Sequence, residues 1–297
     1  MESLAPIVLF VYNRPEHTSR TIACLKENTL AKDTKLIIYS DGPKKEHDLL
    51  KVREVRKILK EINGFKSVEI IERLTNMGLA NSVITGVEEV FNDEDKIIVM
   101  EDDLECTSDF LDFMNSALNK YKNEQYIFSV SGYSYPLKSL QDYPYSAYLS
   151  YRGSSWSWAT WKDRWNLIDW EIKDQQAFIE DKDLQSSFNR SGGDLSGMLI
   201  KQIKGTIDSW AIRFAYNAHK LNKVHVLASK SKVNNIGQDN SGTHSRSTKK
   251  YNVQLVSEAL HTFPDFLTVN PGIEKEMKNF FHRSLVKRII SNIKQRL

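Results

Sequence analysis

The stretch Lys96-Ile-Ile-Val-Met-Glu-Asp-Asp103 runs a short apolar segment directly into three consecutive carboxylates. The apolar part is too short for a helix and reads as a strand buried on both faces. In an open parallel sheet, ligands sit beyond the carboxyl ends of the strands, so acidic side chains placed there face the crevice. Clustered carboxylates repel one another, and a folded chain keeps them beside a cation. A hard divalent ion with oxygen ligands, Mg²⁺ or Mn²⁺, suits Glu101, Asp102 and Asp103. The plainer alternative is a solvated acidic turn ahead of a helix, where negative charge complements the helix dipole.

Working outward, Ile7–Tyr12, Lys35–Ser40 and Val68–Ile71 are further short runs rich in Ile and Val. The segments between the runs have helical period. Pro15 suits a first turn, with Ile22 and Leu25 on one face after it. Over 47–62, Leu49, Val52, Val55, Leu59 and Ile62 form a stripe; Leu79, Val83, Val87 and Val90 form another. A fourth covers 107–121 through Phe110, Met114, Ala117 and Tyr121, with Thr107 or Ser108 as the cap. Repeated strand–helix–strand units predict an α/β fold, with a mostly parallel central sheet, right-handed crossovers and flanking helices.

The other strand ends also carry polar groups. After the first comes Asn13-Arg14-Pro15, where a guanidinium at a helix start can clamp a diphosphate. After the second comes Ser40-Asp41-Gly42-Pro43. Asp41 can accept from a pyrimidine imide or a ribose hydroxyl, or simply form a turn. After the third come Arg73, Asn76 and Gly78. Each has a capping or turn alternative, but four such signals at successive strand ends point to a working crevice.

The 297 residues suit one large domain. Apolar residues make up 40% and charged residues 27%, the balance of a globular chain. The net charge of +3 is too weak to imply nucleic-acid binding. Two cysteines, Cys24 and Cys106, exclude a disulfide framework and a CxxC zinc cluster, and suit a reducing compartment. No run reaches the roughly 18 apolar residues that cross a bilayer. The apolar start follows Glu2 without a basic region, so it reads as a strand rather than a signal peptide.

The pattern changes near residue 125. We divide the chain into a nucleotide half (1–125), a substrate half of the same unit (126–275) and a basic amphipathic helix (276–297). In the second part, 126–131 reads as a strand and 133–151 as loops or edge strands. A Trp-dense helix is expected near 158–170, and 231–250 is a polar loop or lid.

The acidic segment Met100-Glu-Asp-Asp-Leu-Glu-Cys-Thr-Ser-Asp-Phe110 resembles that of the inverting N-acetylglucosaminyltransferase I group. The nucleotide half resembles the GT-A fold of nucleotide-sugar-dependent glycosyltransferases, including bacterial family-two-like enzymes. The likeness covers roughly 6–120 well and extends loosely to Ile207-Asp208-Ser209-Trp210. It implies Asp103 as the carboxylate on a Mn²⁺ or Mg²⁺ ion, with Glu101 and Asp102 against donor sugar and ribose. It also implies Asp41 on the base, Arg14 at the diphosphate and Asp208 as catalytic base; Arg73 and Asn76 complete the expected donor set. The implied activity moves a hexose or N-acetylhexosamine from a nucleotide-diphospho-sugar, a UDP-sugar foremost, to a glycan or lipid-linked acceptor. Surface polysaccharide assembly is the expected setting. The eukaryotic group's membrane anchor and luminal stem have no counterpart here, so a luminal address is not implied.

The chemistry is self-consistent. A cation can take up the charge of a departing diphosphate, so only the acceptor hydroxyl needs a base. Asp208, just ahead of the helical pattern 210–220, can be that base or a helix cap. Trp156 and Trp158 are candidates to line a sugar pocket or to fill the core beneath it. His244 and Arg246 are candidates to close over the diphosphate, with His244 as a further metal ligand or a solvated side chain. In the tail, Phe281, Leu285, Ile289 and Ile293 share a face amid Lys and Arg. That pattern fits an anionic membrane surface or packing on the body. The expected location is therefore the cytoplasm, with contact at the inner membrane face.

Two other functions compete. A sugar-nucleotide pyrophosphorylase resembles this pattern, but its Gly-rich loop is absent at Tyr12-Asn-Arg-Pro-Glu16. A non-catalytic carbohydrate-binding protein on a decayed transferase fold is the other.

Overall fold

A computed structural model describes residues 3–239 and 248–282. In chain order it contains β1 (Ile7–Val11), α1 (Pro15–Lys26), β2 (Lys35–Ser40), α2 (Leu49–Leu59), β3 (Ser67–Glu72), α3 (Leu79–Val90), β4 (Lys96–Glu101), β5 (Leu104–Cys106), α4 (Phe110–Lys120) and β6 (Ile127–Ser131). It continues with β7 (Ala147–Ser150), β8 (Trp158–Trp161), α5 (Lys162–Trp165), α6 (Gln175–Glu180), α7 (Lys182–Phe188), α8 (Leu195–Ile203), α9 (Trp210–Lys220), β9 (Val224–Ala228), β10 (Val233–Asn235) and α10 (Pro271–Phe280).

Eight strands form one sheet in the order β3-β2-β1-β4-β8-β6-β9-β7. The first four are mutually parallel, as the strand–helix alternation predicts. β8 then runs antiparallel between β4 and β6, β9 lies parallel to β6, and β7 closes the edge antiparallel to β9. The sheet passes unbroken from the first half of the chain into the second.

The period of two in the strands sorts their side chains between two cores. Ile7, Leu9 and Val11 of β1 join Leu36, Ile38, Ile98 and Met100 on one face, covered by α1, α2 and α4. Val8 and Phe10 join Ile37, Tyr39, Ile97 and Val99 on the other, covered by Ala80, Val83 and Val87 of α3 and Trp210 and Phe214 of α9. Each fully buried Val, Leu or Ile stabilises by roughly 1.5–3 kcal/mol relative to exposure. The same alternation carries Glu101, at the end of β4, to the α3 face.

Several details correct the sequence reading. Val68–Ile71 belongs to an edge strand, and β3 is only half-buried rather than enclosed on both faces. The expected Trp-rich helix begins as strand β8, because Trp158–Trp161 pairs with β4; only Lys162–Trp165 is helical. α4 is flanked by Asp109, not capped by Thr107 or Ser108. The Asp109 carboxylate instead accepts from Lys232 Nζ (2.8 Å) and from the Glu258 amide (2.8 Å). The loop expected at 231–250 contains β10, which pairs with β5 beside the acidic segment. Of the tail, α10 docks through Ile273 and Met277, and Phe281 is buried in the core; Leu285, Ile289 and Ile293 lie outside the described residues. No described helix is long and apolar enough to cross a membrane.

Candidate active site

A cavity of about 360 Å³ opens beyond the carboxyl ends of β1, β2 and β4. Asn13, Arg14, Asp41, Asn76, Glu101, Asp102, Asp103 and Trp156 of the expected residues all line it.

Arg14 sits immediately before α1 and reaches across the acidic segment. Its Nη2 pairs with Asp102 Oδ1 and lies 3.0 Å from Asp103 Oδ2. Against the cost of burial, Asp102 and then Asp103 hold this guanidinium firmly protonated. Asp102 is further fixed by the Tyr12 amide (3.2 Å) and by Thr21 Oγ1 on its carbonyl (2.9 Å). Burial, then Asp103 and Asp102, push Glu101 up to about 8. One guanidinium thus faces Asp102, Asp103 and a Glu101 that burial and their charge keep largely protonated near neutrality, and one further cation would let all three ionise.

Three buried polar atoms in the cavity lining have no hydrogen-bond partner: Asp103 Oδ1, Ser82 Oγ and Gln238 Oε1. Buried polar groups in folded proteins are almost always paired, so such a group of orphans marks a place for a polar ligand. The wall behind Asp103 is backbone. Ile236 N donates to the Asp103 carbonyl (2.9 Å), and Gly237 follows. A Cβ at Gly237 would run into Asp103 Oδ2 and Arg14, so only glycine lets the strand end approach this closely.

Asp41 has a more structural posture than the sequence suggests. Oδ1 accepts from the Gly42 and Met77 amides, both 2.9 Å; Oδ2 accepts from Asn76 Nδ2 (3.0 Å) and the Gly78 amide (3.1 Å). The carboxylate therefore clamps the loop into α3, where Gly78 adopts the left-handed φ of 74°. Asn76 also bonds the Gly42 carbonyl (2.9 Å), and Asn13 bonds Asp48 (2.8 Å). Arg73 is not in the lining. It stacks 5.0 Å over Tyr39, bonds Thr85 (3.0 Å) and contacts Met77 Sδ, bracing the wall from behind.

Asp208 does not line this cavity. It precedes Ser209, the true cap of α9, is 58% exposed and accepts from Arg213 Nη2 (3.0 Å). Trp156 faces the site, but Trp158 is a core residue, 1% exposed and stacked on Trp165. A strand side chain two residues along from Trp156 is turned inward by the left-handed φ of 52° at Ser157 between them. His244 and Arg246 fall outside the described residues. Sequence reasoning missed Tyr12, Tyr39, Lys44, Ser82, Asn235 and Gln238 in the lining. Tyr12 and Lys44 flank chosen motifs, whereas Asn235 and Gln238 lie in the stretch read only as a lid.

The model for glycosyl transferase family 2 matches residues 7–184, more than half of the chain. The chain belongs to glycosyl transferase family 2. Comparison with curated proteins found no match. Among solved structures, the chain is similar to the mannosyltransferase PcManGT from Pyrobaculum calidifontis, described in complex with GDP-Man and Mn2+. Identity is 10% over 74% of this chain and 69% of that one, with a TM-score of 0.43. This family-2 glycosyltransferase has the GT-A type of fold and uses a nucleotide sugar. The matched span holds every expected residue that lines the cavity, from Asn13 to Trp156, and ends before Asp208 and the 235–238 wall.

Proposed function

We propose that this glycosyltransferase is metal-dependent and inverting, passing a hexose or N-acetylhexosamine from a UDP-sugar to a hydroxyl of a glycan or lipid-linked acceptor. The observation that carries the metal reading is Asp103 Oδ1, buried in the donor cavity without a partner beside an acidic excess. Among the described residues, no three His, Cys, Asp or Glu side chains form a ready-made metal cage. A single aspartate fits Mg²⁺ or Mn²⁺, which bind through one or two carboxylates and complete their shell with water and phosphate oxygens. Asp103 would hold the ion, whose charge would offset that of a departing diphosphate.

The chain's own groups supply the rest. Arg14 pins Asp102 and Asp103 in place and lends a fixed positive charge beside the phosphates. Glu101 and Asp102 face donor sugar and ribose. Asp41 positions the wall that receives the base, through Asn76 and Gly78. Asp208 is the base we assign to the acceptor hydroxyl. It takes the proton as the oxygen attacks the anomeric carbon from the side opposite the leaving diphosphate. Its exposure leaves it open to an incoming acceptor.

The test is incubation with a panel of nucleotide sugars, Mn²⁺ and simple glycosides, with nucleoside diphosphate release and product anomer read by NMR. Transfer with inversion, abolished by EDTA, is expected. Pyrophosphate release from a nucleoside triphosphate and a sugar phosphate would instead establish a pyrophosphorylase.

A further inference from the structure

A second cavity, of about 230 Å³, lies beside the donor cavity and shares Trp156 with it. Strand pairing explains its position. Ser150, the end of β7, pairs with His225 of β9, and Ser131 of β6 pairs with Trp158, so the segment 151–157 passes from β7 over β9 and β6 to β8. The space between this segment and α9 is the cavity.

Its walls are aromatic rings set at steep angles. Tyr133 meets Trp156 at 4.6 Å and 73° and Tyr135 at 5.1 Å and 85°, and Trp156 meets Tyr251 at 5.8 Å and 80°. His225 also lines it. The ring is 1% exposed; its Nδ1 is 2.7 Å from Ser129 Oγ, and its Nε2 has no partner. Burial and Arg190 push this imidazole down to about 3, so it is neutral at physiological pH. Arg152 is the one formally charged residue among the described lining. It is neutralised by a two-pronged pair with Asp194 (2.9 and 2.8 Å) and stacks 3.4 Å over Phe281.

These features select among ligands. An acidic group here would find Arg152, the charged residue of the described lining, already paired with Asp194, and burying it would be costly. A hydrocarbon chain would leave His225 Nε2 unsatisfied. The volume falls below the roughly 300 Å³ at which pockets for larger ligands begin. What fits is one ring with apolar C–H faces and neutral hydroxyls. We propose that this cavity seats a single uncharged pyranose unit of the acceptor, with His225 Nε2 bonded to one hydroxyl and Trp156 forming the partition from the donor. The assignment rests on the transferase reading above for the word acceptor, but the binding site stands on its own geometry.

The test is binding of methyl pyranosides of neutral hexoses and N-acetylhexosamines to the full chain, by saturation-transfer NMR and calorimetry. Methyl glucuronide and octanol serve as comparators, each with and without UDP and Mn²⁺. At least one neutral pyranoside should bind more tightly than either comparator. His225→Phe should weaken it about tenfold or more while leaving UDP affinity unchanged. Trp156→Leu, at a half-buried position, should weaken it independently if the first variant folds poorly. Absence of binding by every neutral pyranoside, preference for the glucuronide or octanol, or unchanged affinity in the folded variants would overturn the assignment. Pyranoside binding without any nucleotide-sugar turnover would remove the transferase reading and leave the cavity assignment intact. Donor turnover without pyranoside binding would do the reverse.

Discussion

The two cavities share a tryptophan and differ in almost everything else. The cavity assigned to the donor is built mainly from strand ends within the first 103 residues, and its chemistry is charge: four carboxylates, a guanidinium, an ammonium and orphaned oxygens. The aromatic cavity gathers residues from 133 to 281, and its chemistry is ring faces around one neutral imidazole. Charge in a folded interior must be compensated nearby, so it is confined to particular positions and leaves clusters in the sequence. Aromatic surface carries no such requirement, and an aromatic lining a cavity looks in sequence like any aromatic in a core.

The largest expected effect is on the charged side. Asp103→Ala should lower transfer by about 10³-fold or more, since it removes the group assigned to the ion that stabilises the leaving diphosphate. Steady-state kinetics at saturating Mn²⁺ checks this, and loss of less than tenfold would break the contrast between the cavities. Next come the tryptophans. Trp158→Ala should destabilise by about 3–5 kcal/mol in chemical denaturation, as a filled core site emptied of its ring. Trp156→Ala should cost clearly less stability but raise the acceptor KM. Equal destabilisation by both would erase the distinction between lining and core.

Arg14→Met should destabilise by a few kcal/mol, because Asp102 and Asp103 lose their counter-charge while remaining buried. Mn²⁺ alone should then raise the thermal midpoint more in this variant than in the parent chain, in differential scanning fluorimetry. Asp208→Asn should suppress turnover while leaving UDP affinity unchanged by calorimetry. Unchanged turnover would move the base elsewhere.

The smallest effect concerns acid stability, at a cluster distant in role from both cavities. Fully buried Lys232 pairs with Asp109 (2.8 Å) and Glu258 (3.0 Å). Burial works against both carboxylates, yet Lys232 holds each below its usual range. Because these folded values lie below the unfolded ones, their stabilisation is present above the unfolded pKa near 4 and is lost as pH falls through the folded values. Lys232→Met should therefore be most destabilising near neutrality, and its gap from the parent should narrow toward pH 3 in thermal melts. A constant gap would show that the pair contributes nothing through charge.

The contrast also accounts for what the sequence discloses. β1, β2 and β4 follow from short Ile/Val-rich runs, α2 and α3 from their stripes, and the residues assigned to the donor from polar groups at successive strand ends. The insertion of β8 between β4 and β6 could not be read this way. Trp158–Trp161 has no alternation, and its strand character comes from pairing with β4 rather than from local pattern. Asp41 was legible as a site residue but not as a clamp, because its four partners reach it through the fold. Asn235, Gly237 and Gln238 reach the acidic segment only through the β5–β10 pairing, across more than 120 residues. His225 sits inside an ordinary apolar strand pattern and gave no signal at all.

The most direct measurement is calorimetric titration of UDP into the full chain, with Mn²⁺ and with EDTA, for the parent and for Asp103→Ala. A cation held by Asp103 predicts at least tenfold tighter binding with Mn²⁺ in the parent and no difference between the two conditions in the variant. Equal UDP affinity with and without Mn²⁺ in the parent, or an undiminished Mn²⁺ effect in the variant, would contradict it.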